Sequence, residues 1–256
     1  MAQYWFDANN WPVRDQLPDD FVSVDGSEYT IGPRVVNVTQ DNRPMRCLEI
    51  RGVAFVRWLY SPSVENAEVC VMAVTTDRRG QGEEPNHNTA ALRIQSNVSG
   101  YAGGFGNANR DRGIFRYDNG IYEAVELSNL EGDRFANLEM HFQKLRAFGN
   151  TLQVKTWRAN TAEPLDWQLA GTDSVYSTGK LGLKAKHGTL GSIYIFAVGF
   201  GTDGDSAPTG PIDEYRFRYD PYLFSAAEFT GIPTLSAPGV IDITATSARP
   251  QVTLTY

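Results

Sequence analysis

Ile114-Phe115-Arg116-Tyr117-Asp118-Asn119-Gly120-Ile121-Tyr122-Glu123-Ala124-Val125 reads as two short strands joined by a two-residue turn. Asn119-Gly120 supplies the positive φ angles of a tight hairpin, and apolar or aromatic residues flank it on both sides. The same pattern recurs outward from this segment. Gly149-Asn150 separates Met140-His141-Phe142 from Leu152-Gln153-Val154-Lys155. Leu152 and Val154 point one way while Gln153 and Lys155 point the other. In residues 180–186, Leu181, Leu183 and Ala185 share one face, opposite Lys180, Lys184 and Lys186. Helical periodicity is nearly absent, so the chain is expected to build stacked antiparallel sheets.

Longer runs place the centre of those sheets. Residues 48–60 form an apolar-aromatic run broken at Gly52, and residues 67–76 form another. Val69-Cys70-Val71-Met72-Ala73-Val74 and residues 193–200 are apolar on both faces, which predicts strands covered on both sides. Residues 78–88 and 100–112 gather Gly, Asn and charges, and read as surface loops.

Composition bounds the function. The 256 residues carry 23 basic and 30 acidic side chains, a net charge of −7, which argues against a phosphate-binding surface and a nucleic-acid partner. Hydrophobic residues at 41% are enough for a packed core. No apolar run approaches the ~20 residues of a membrane helix, so no membrane partner is expected. Met1-Ala2-Gln3-Tyr4-Trp5 shows no secretory signal. Cys47 and Cys70 make neither a disulfide framework nor a metal quartet and read as reduced core thiols. His87, His141 and His187 are widely separated, and no cofactor is expected.

From Pro221 onward the composition changes: three charged residues (Glu228, Asp242, Arg249) stand among six threonines. Residues 240–246 and 251–256 alternate around Ser247-Ala248-Arg249-Pro250 as a terminal β-ribbon. Two strands alone are marginally stable, so the ribbon needs a surface to dock on. The sequence therefore divides into a sandwich over residues 1–222 and a linker plus ribbon over 223–256. Ile241, Ile243, Val252, Leu254 and Tyr256 would form the assembly interface of this arm.

One region carries a family resemblance. Residues 149–157 end in Lys155-Thr156-Trp157; Glu163-Pro164-Leu165-Asp166-Trp167 and Gly179-Lys180-Leu181-Gly182-Leu183 follow in that order. This resembles the concanavalin A-like lectin/glucanase family in its laminin-G-like branch. Residues 193–199, Thr202-Asp203-Gly204-Asp205 and the C-terminal segment 243–255 are similar to tailed-bacteriophage virion proteins. The resemblance implies an all-β, two-sheet antiparallel jelly-roll sandwich with a C-terminal β-ribbon extension. It does not by itself imply an activity.

Retaining glucanases need an acid and a nucleophile ~5–5.5 Å apart. Glu131-Gly132-Asp133 lacks the second glutamate of the pattern, and Glu123 and Glu126, three apart, are expected on opposite strand faces. No catalytic residue is therefore expected. Asp203 and Asp205 offer two oxygen ligands toward a Ca²⁺ shell that needs six or more, so a Gly-containing turn explains them better and no metal site is expected. Trp157, Trp167, Tyr101, Phe105 and Tyr122 are the candidates for stacking on a sugar, with packing as the competing explanation; Trp5, Trp11 and Trp58 read as core. The expectation is a non-enzymatic structural component of a phage virion, a head decoration or tail protein. It would be assembled in the host cytoplasm, with other virion proteins and second copies of itself as partners. The alternative is a carbohydrate-binding module for a host surface glycan, and a glycan hydrolase is the third.

Overall fold

The computed structural model describes residues 2–24, 34–40, 43–50, 53–75, 89–95, 98–105, 112–128, 139–186, 193–210, 240–245 and 250–255. The first sheet runs in the order β13 (Leu169–Thr172), β12 (Thr151–Arg158), β11 (His141–Phe148), β6 (Ala67–Thr75), β15 (Ile193–Thr202), β4 (Arg43–Ile50), β3 (Arg34–Gln40). β1 (Ala2–Asp7) pairs with the second half of β15. The second sheet runs β10 (Ile121–Ser128), β9 (Arg112–Asp118), β8 (Gly100–Phe105), β7 (Ala90–Ile94), β14 (Lys180–Lys186), β5 (Val53–Trp58), β2 (Phe21–Ser23). The pairings are antiparallel, as the alternation predicts, and the result is the two-sheet jelly-roll sandwich that the resemblance implies.

Alternation fixes which side chains meet between the sheets. Val69, Val71, Leu145, Leu152, Val154 and Phe200 point inward from the first sheet, and Val56, Trp58, Leu92, Ile114 and Leu183 from the second; all are buried. Trp58 and Phe200 stack across the interface at 5.3 Å and 8°. Trp5 and Trp11 are buried too, as expected of core residues. The run 48–60 divides between sheets, β4 in the first and β5 in the second.

The Asn119-Gly120 hairpin forms with φ of 49° and 84°. Gly149 has φ 53° whereas Asn150 does not enter the positive region, so the second hairpin turns differently, with only its first turn residue left-handed. Residues 100–105, expected as loop, are instead the buried strand β8. Glycine is what allows it: a Cβ on Gly103 would lie 2.7 Å from the Leu145 Cδ1 methyl of the facing sheet. Residues 78–88 lie outside the described residues.

The second sheet curls toward its outer face. Phe55 on β5 and Tyr117 on β9 are four strand steps apart, about 19 Å on a flat sheet. Their rings nevertheless approach to 5.5 Å, over a floor that includes Ala91 and Ala102.

By internal contacts the chain divides into Met1–Pro211 and Ile212–Tyr256. In the second unit β16 (Val240–Ala245) and β17 (Pro250–Thr255) pair as a two-stranded sheet of their own, with Ile241 opposite Leu254 and Ile243 opposite Val252. Tyr256 lies outside the described residues. No helix among the described residues is long and apolar enough to cross a membrane.

Candidate functional site

The hairpin β11–β12 presents Phe142, Lys144, Arg146 and Phe148 on the outer face of the first sheet, beside Trp157, Lys155 and Gln153 of the next strand. Register sets the neighbours. Phe142 faces Trp157 and the two rings stack at 5.0 Å. Lys144 faces Lys155, a like-charge pair that alone would be unfavourable. The segment Glu163-Pro164-Leu165-Asp166-Trp167 resolves this by crossing back over the sheet. Glu163 accepts from Lys144 Nζ at 2.8 Å and meets Lys155 Nζ at 2.6 Å, while Lys155 also donates to the Pro164 carbonyl at 2.9 Å. The two ammonium groups hold the Glu163 carboxyl below its usual range despite its partial burial.

Trp167 ends the crossing segment. The Lys155 ammonium lies 4.8 Å and the Arg146 guanidinium 5.9 Å from its ring centroid. Gln168 anchors the return: its N–H donates to the Val154 carbonyl and its side-chain oxygen accepts from the Thr156 N–H. The opposite end of the hairpin is fixed by Arg93, whose buried guanidinium donates to the carbonyls of Glu65, Tyr176 and Gly149. Around Trp167 the surface is open: Phe148 is 55% and Leu165 98% exposed.

The stacking candidates therefore separate. Tyr101 is fully buried between the sheets, donating to Asp173 at 2.6 Å. Phe105 is buried edge-on to His141, and Trp157 is buried against Phe142 and Lys144. Trp167 and Tyr122 keep accessible faces, but on different sheets; Tyr122 packs beside Phe115 and Tyr117. Lys144, Arg146, Phe148, Lys155 and Glu163 are not among the site candidates of the sequence, although Lys155 and Glu163 stand in its motifs. The signal for them lies in Glu163-Pro164-Leu165-Asp166-Trp167, whose acid and ring close over the two facing lysines.

The carboxylates take other arrangements. Glu131 and Asp133 lie outside the described residues. Glu123 and Glu126 share a face, contrary to simple alternation, because a bulge between Ala124 and Glu126 puts them opposite Arg116 and Ile114, which point the same way. Glu123 pairs with Arg116 there. Glu68 and Glu163 both approach Lys144, at 4.0 and 2.8 Å, so the ammonium bridges them. Burial raises the Glu68 carboxyl above its usual value. Asp203 and Asp205 sit in a turn closed by the Asp205 N–H on the Thr202 carbonyl, with Asp203 at φ 57° and Gly204 at 92°. Among the described residues no group of three or more His, Cys, Asp or Glu could hold a metal ion. Cys47 and Cys70 are free, and burial pushes both thiols up to about 12, which keeps them protonated and unreactive.

No protein-family model matches the chain, and no curated protein matches it in sequence. Solved structures do resemble it in fold. The carbohydrate-binding module CBM66 from Bacillus subtilis aligns over 72% of this chain and 92% of its own, at 13% identity and TM-score 0.42. Basic winged bean lectin, solved with Tn-antigen, aligns over 79% of this chain and 100% of its own, at 10% identity and TM-score 0.47. A xylan β-1,4-xylosidase from Bacillus halodurans C-125 aligns over 77% of this chain but 38% of its own, at 15% identity and TM-score 0.46. These likenesses concern architecture alone.

Proposed function

We propose that this chain is a non-enzymatic recognition module that binds a glycan on the outer face of its first sheet, with Trp167 as the stacking platform. The observation that carries the reading is the Trp167 ring itself: held over Lys155 and Arg146 by a pinned loop, yet only half-buried and bordered by exposed Phe148 and Leu165. A ring fixed before binding loses little freedom when a sugar stacks on it. Binding of the full chain to a glycan array, followed by calorimetry on the best hit, tests this. Trp167→Ala is expected to abolish binding while the thermal melt stays close to wild type. A wild-type chain that binds nothing on the array, or a Trp167→Ala variant that binds as before, refutes it. Reducing-sugar release from any bound glycan would refute the non-enzymatic part.

A second reading rests on the C-terminal unit. The β16–β17 hairpin forms a sheet of its own, and such a hairpin gains stability by docking on another surface. This supports an assembly arm, and the resemblance of residues 193–199, 202–205 and 243–255 to tailed-bacteriophage virion proteins is the sole reason for reading the assembly as a phage virion, with other virion proteins or further copies as partners. Removing residues 231–256 should then block incorporation into particles.

A further inference from the structure

We infer that the glycan-binding face contains a carboxylate receptor centred on Arg146, so that the glycan of the reading above, on which this rests, is an acidic one. Most other described arginines in the sandwich spend their guanidinium groups on hydrogen bonds; Arg57 is an exception, but its unpartnered Nε is buried. Arg93 binds three backbone carbonyls, Arg34 donates to Glu49, Arg46 to the Asn9 and Trp11 carbonyls, Arg116 to Asp173, and Arg158 to Glu139. Arg146 differs. Its guanidinium carbon lies 5.4 Å from the Phe148 ring centroid and 5.9 Å from that of Trp167. Its one ion contact is Nε to Glu68 Oε1 at 3.7 Å, longer than a hydrogen bond, and no hydrogen bond to it occurs among the described residues. Its side chain is 31% exposed.

A planar cation held against two aromatic rings has its orientation set and its donors still available. That arrangement suits a carboxylate, which can accept two parallel N–H bonds from the guanidinium fork. The surrounding charge points the same way. Lys144, Lys155 and Arg146 outnumber Glu68 and Glu163 by one, on a chain whose net charge is −7. Glu163 is committed to the two lysines, and Glu68 accepts from the Ala207 N–H and lies 4.0 Å from Lys144 Nζ, which leaves only the long 3.7 Å contact to Arg146. An anion arriving at Arg146 would find Trp167 and Phe148 beside it, so one residue could be gripped by its carboxylate and stacked through its ring.

The test compares ligands that differ in the carboxylate alone. Calorimetry on the full chain would use hexagalacturonate against its full methyl ester, and 3′-sialyllactose against lactose. For at least one pair the acid should bind about tenfold tighter or better, a preference that fades as salt rises. Arg146→Gln should bring the acid down to the affinity of its neutral partner, and Arg146→Lys should restore only part of the difference. Equal binding of acid and neutral partner, or a preference that survives Arg146→Gln, overturns the inference but leaves the glycan reading standing. Binding of poly-glutamate with no glycan bound overturns both, as does the absence of any bound glycan.

Discussion

Both outer faces of the sandwich place lysine ammonium groups over aromatic rings, but the two faces are finished differently. On the second sheet Lys184 is fully buried, 4.3 Å from the Tyr117 ring centroid and 5.6 Å from that of Phe55, within the curl of that sheet's outer face. On the first sheet Lys144 and Lys155 are nearly as buried, at 3% and 7%, yet they share a carboxylate with a loop whose tryptophan stays open to solvent. The same cation–aromatic contact therefore closes one face and shapes an accessible surface on the other. What separates them is the crossing segment 163–167, which brings its own acid and ring.

The sharpest challenge to this contrast is at Lys184. Lys184→Ala should cost about 3 kcal/mol in urea denaturation, because it empties a buried, aromatic-lined space. Lys184→Met keeps the bulk and should cost less than Lys184→Ala. Equal losses from the two would mean that the charge, and not the packing, matters there. Between the faces, His141 is buried and its imidazole is lowered from 6.5 to about 4 by desolvation. The unfolded chain then takes up the proton first, so stability is lost as pH falls from 6.5 toward 4. The loss should be about 3 kcal/mol, and His141→Gln should flatten that part of the pH–stability profile.

On the open face, Glu163→Gln strands Lys144 opposite Lys155 and should cost about 2 kcal/mol, less than for a fully buried pair because Glu163 is partly solvated. Adding Lys155→Met should recover most of that loss, which a double-mutant cycle would read. The smallest expected effect on stability is at Trp167. Trp167→Ala should shift unfolding by about 1 kcal/mol or less, since the ring is only half-buried, while glycan binding disappears. A loss above 3 kcal/mol would class Trp167 with the packing residues and erase the distinction between the faces.

Part of this was legible in the residues. The Asn119-Gly120 turn, the alternation of Leu152 and Val154, and the two-faced apolar run 69–74 each report a local preference, and each appears where expected. Residues 100–105 misled because glycine usually marks turns, whereas here it lets β8 approach Leu145. Glu123 and Glu126 misled because one bulge residue reverses the parity of everything beyond it. Trp157 and Trp167 looked alike as residue types, and their neighbours separated them.

The sequence by itself determined the strand period, the hairpins and hence an all-β chain, since each depends on residues a few positions apart. Only the tertiary structure decided that Lys144 would face Lys155, that Glu163 would lie between them, and that Arg146 would make no side-chain hydrogen bond among the described residues. Those outcomes depend on the register between strands and on where a loop returns. Both are set by packing across the whole sandwich, and no short window of residues encodes them.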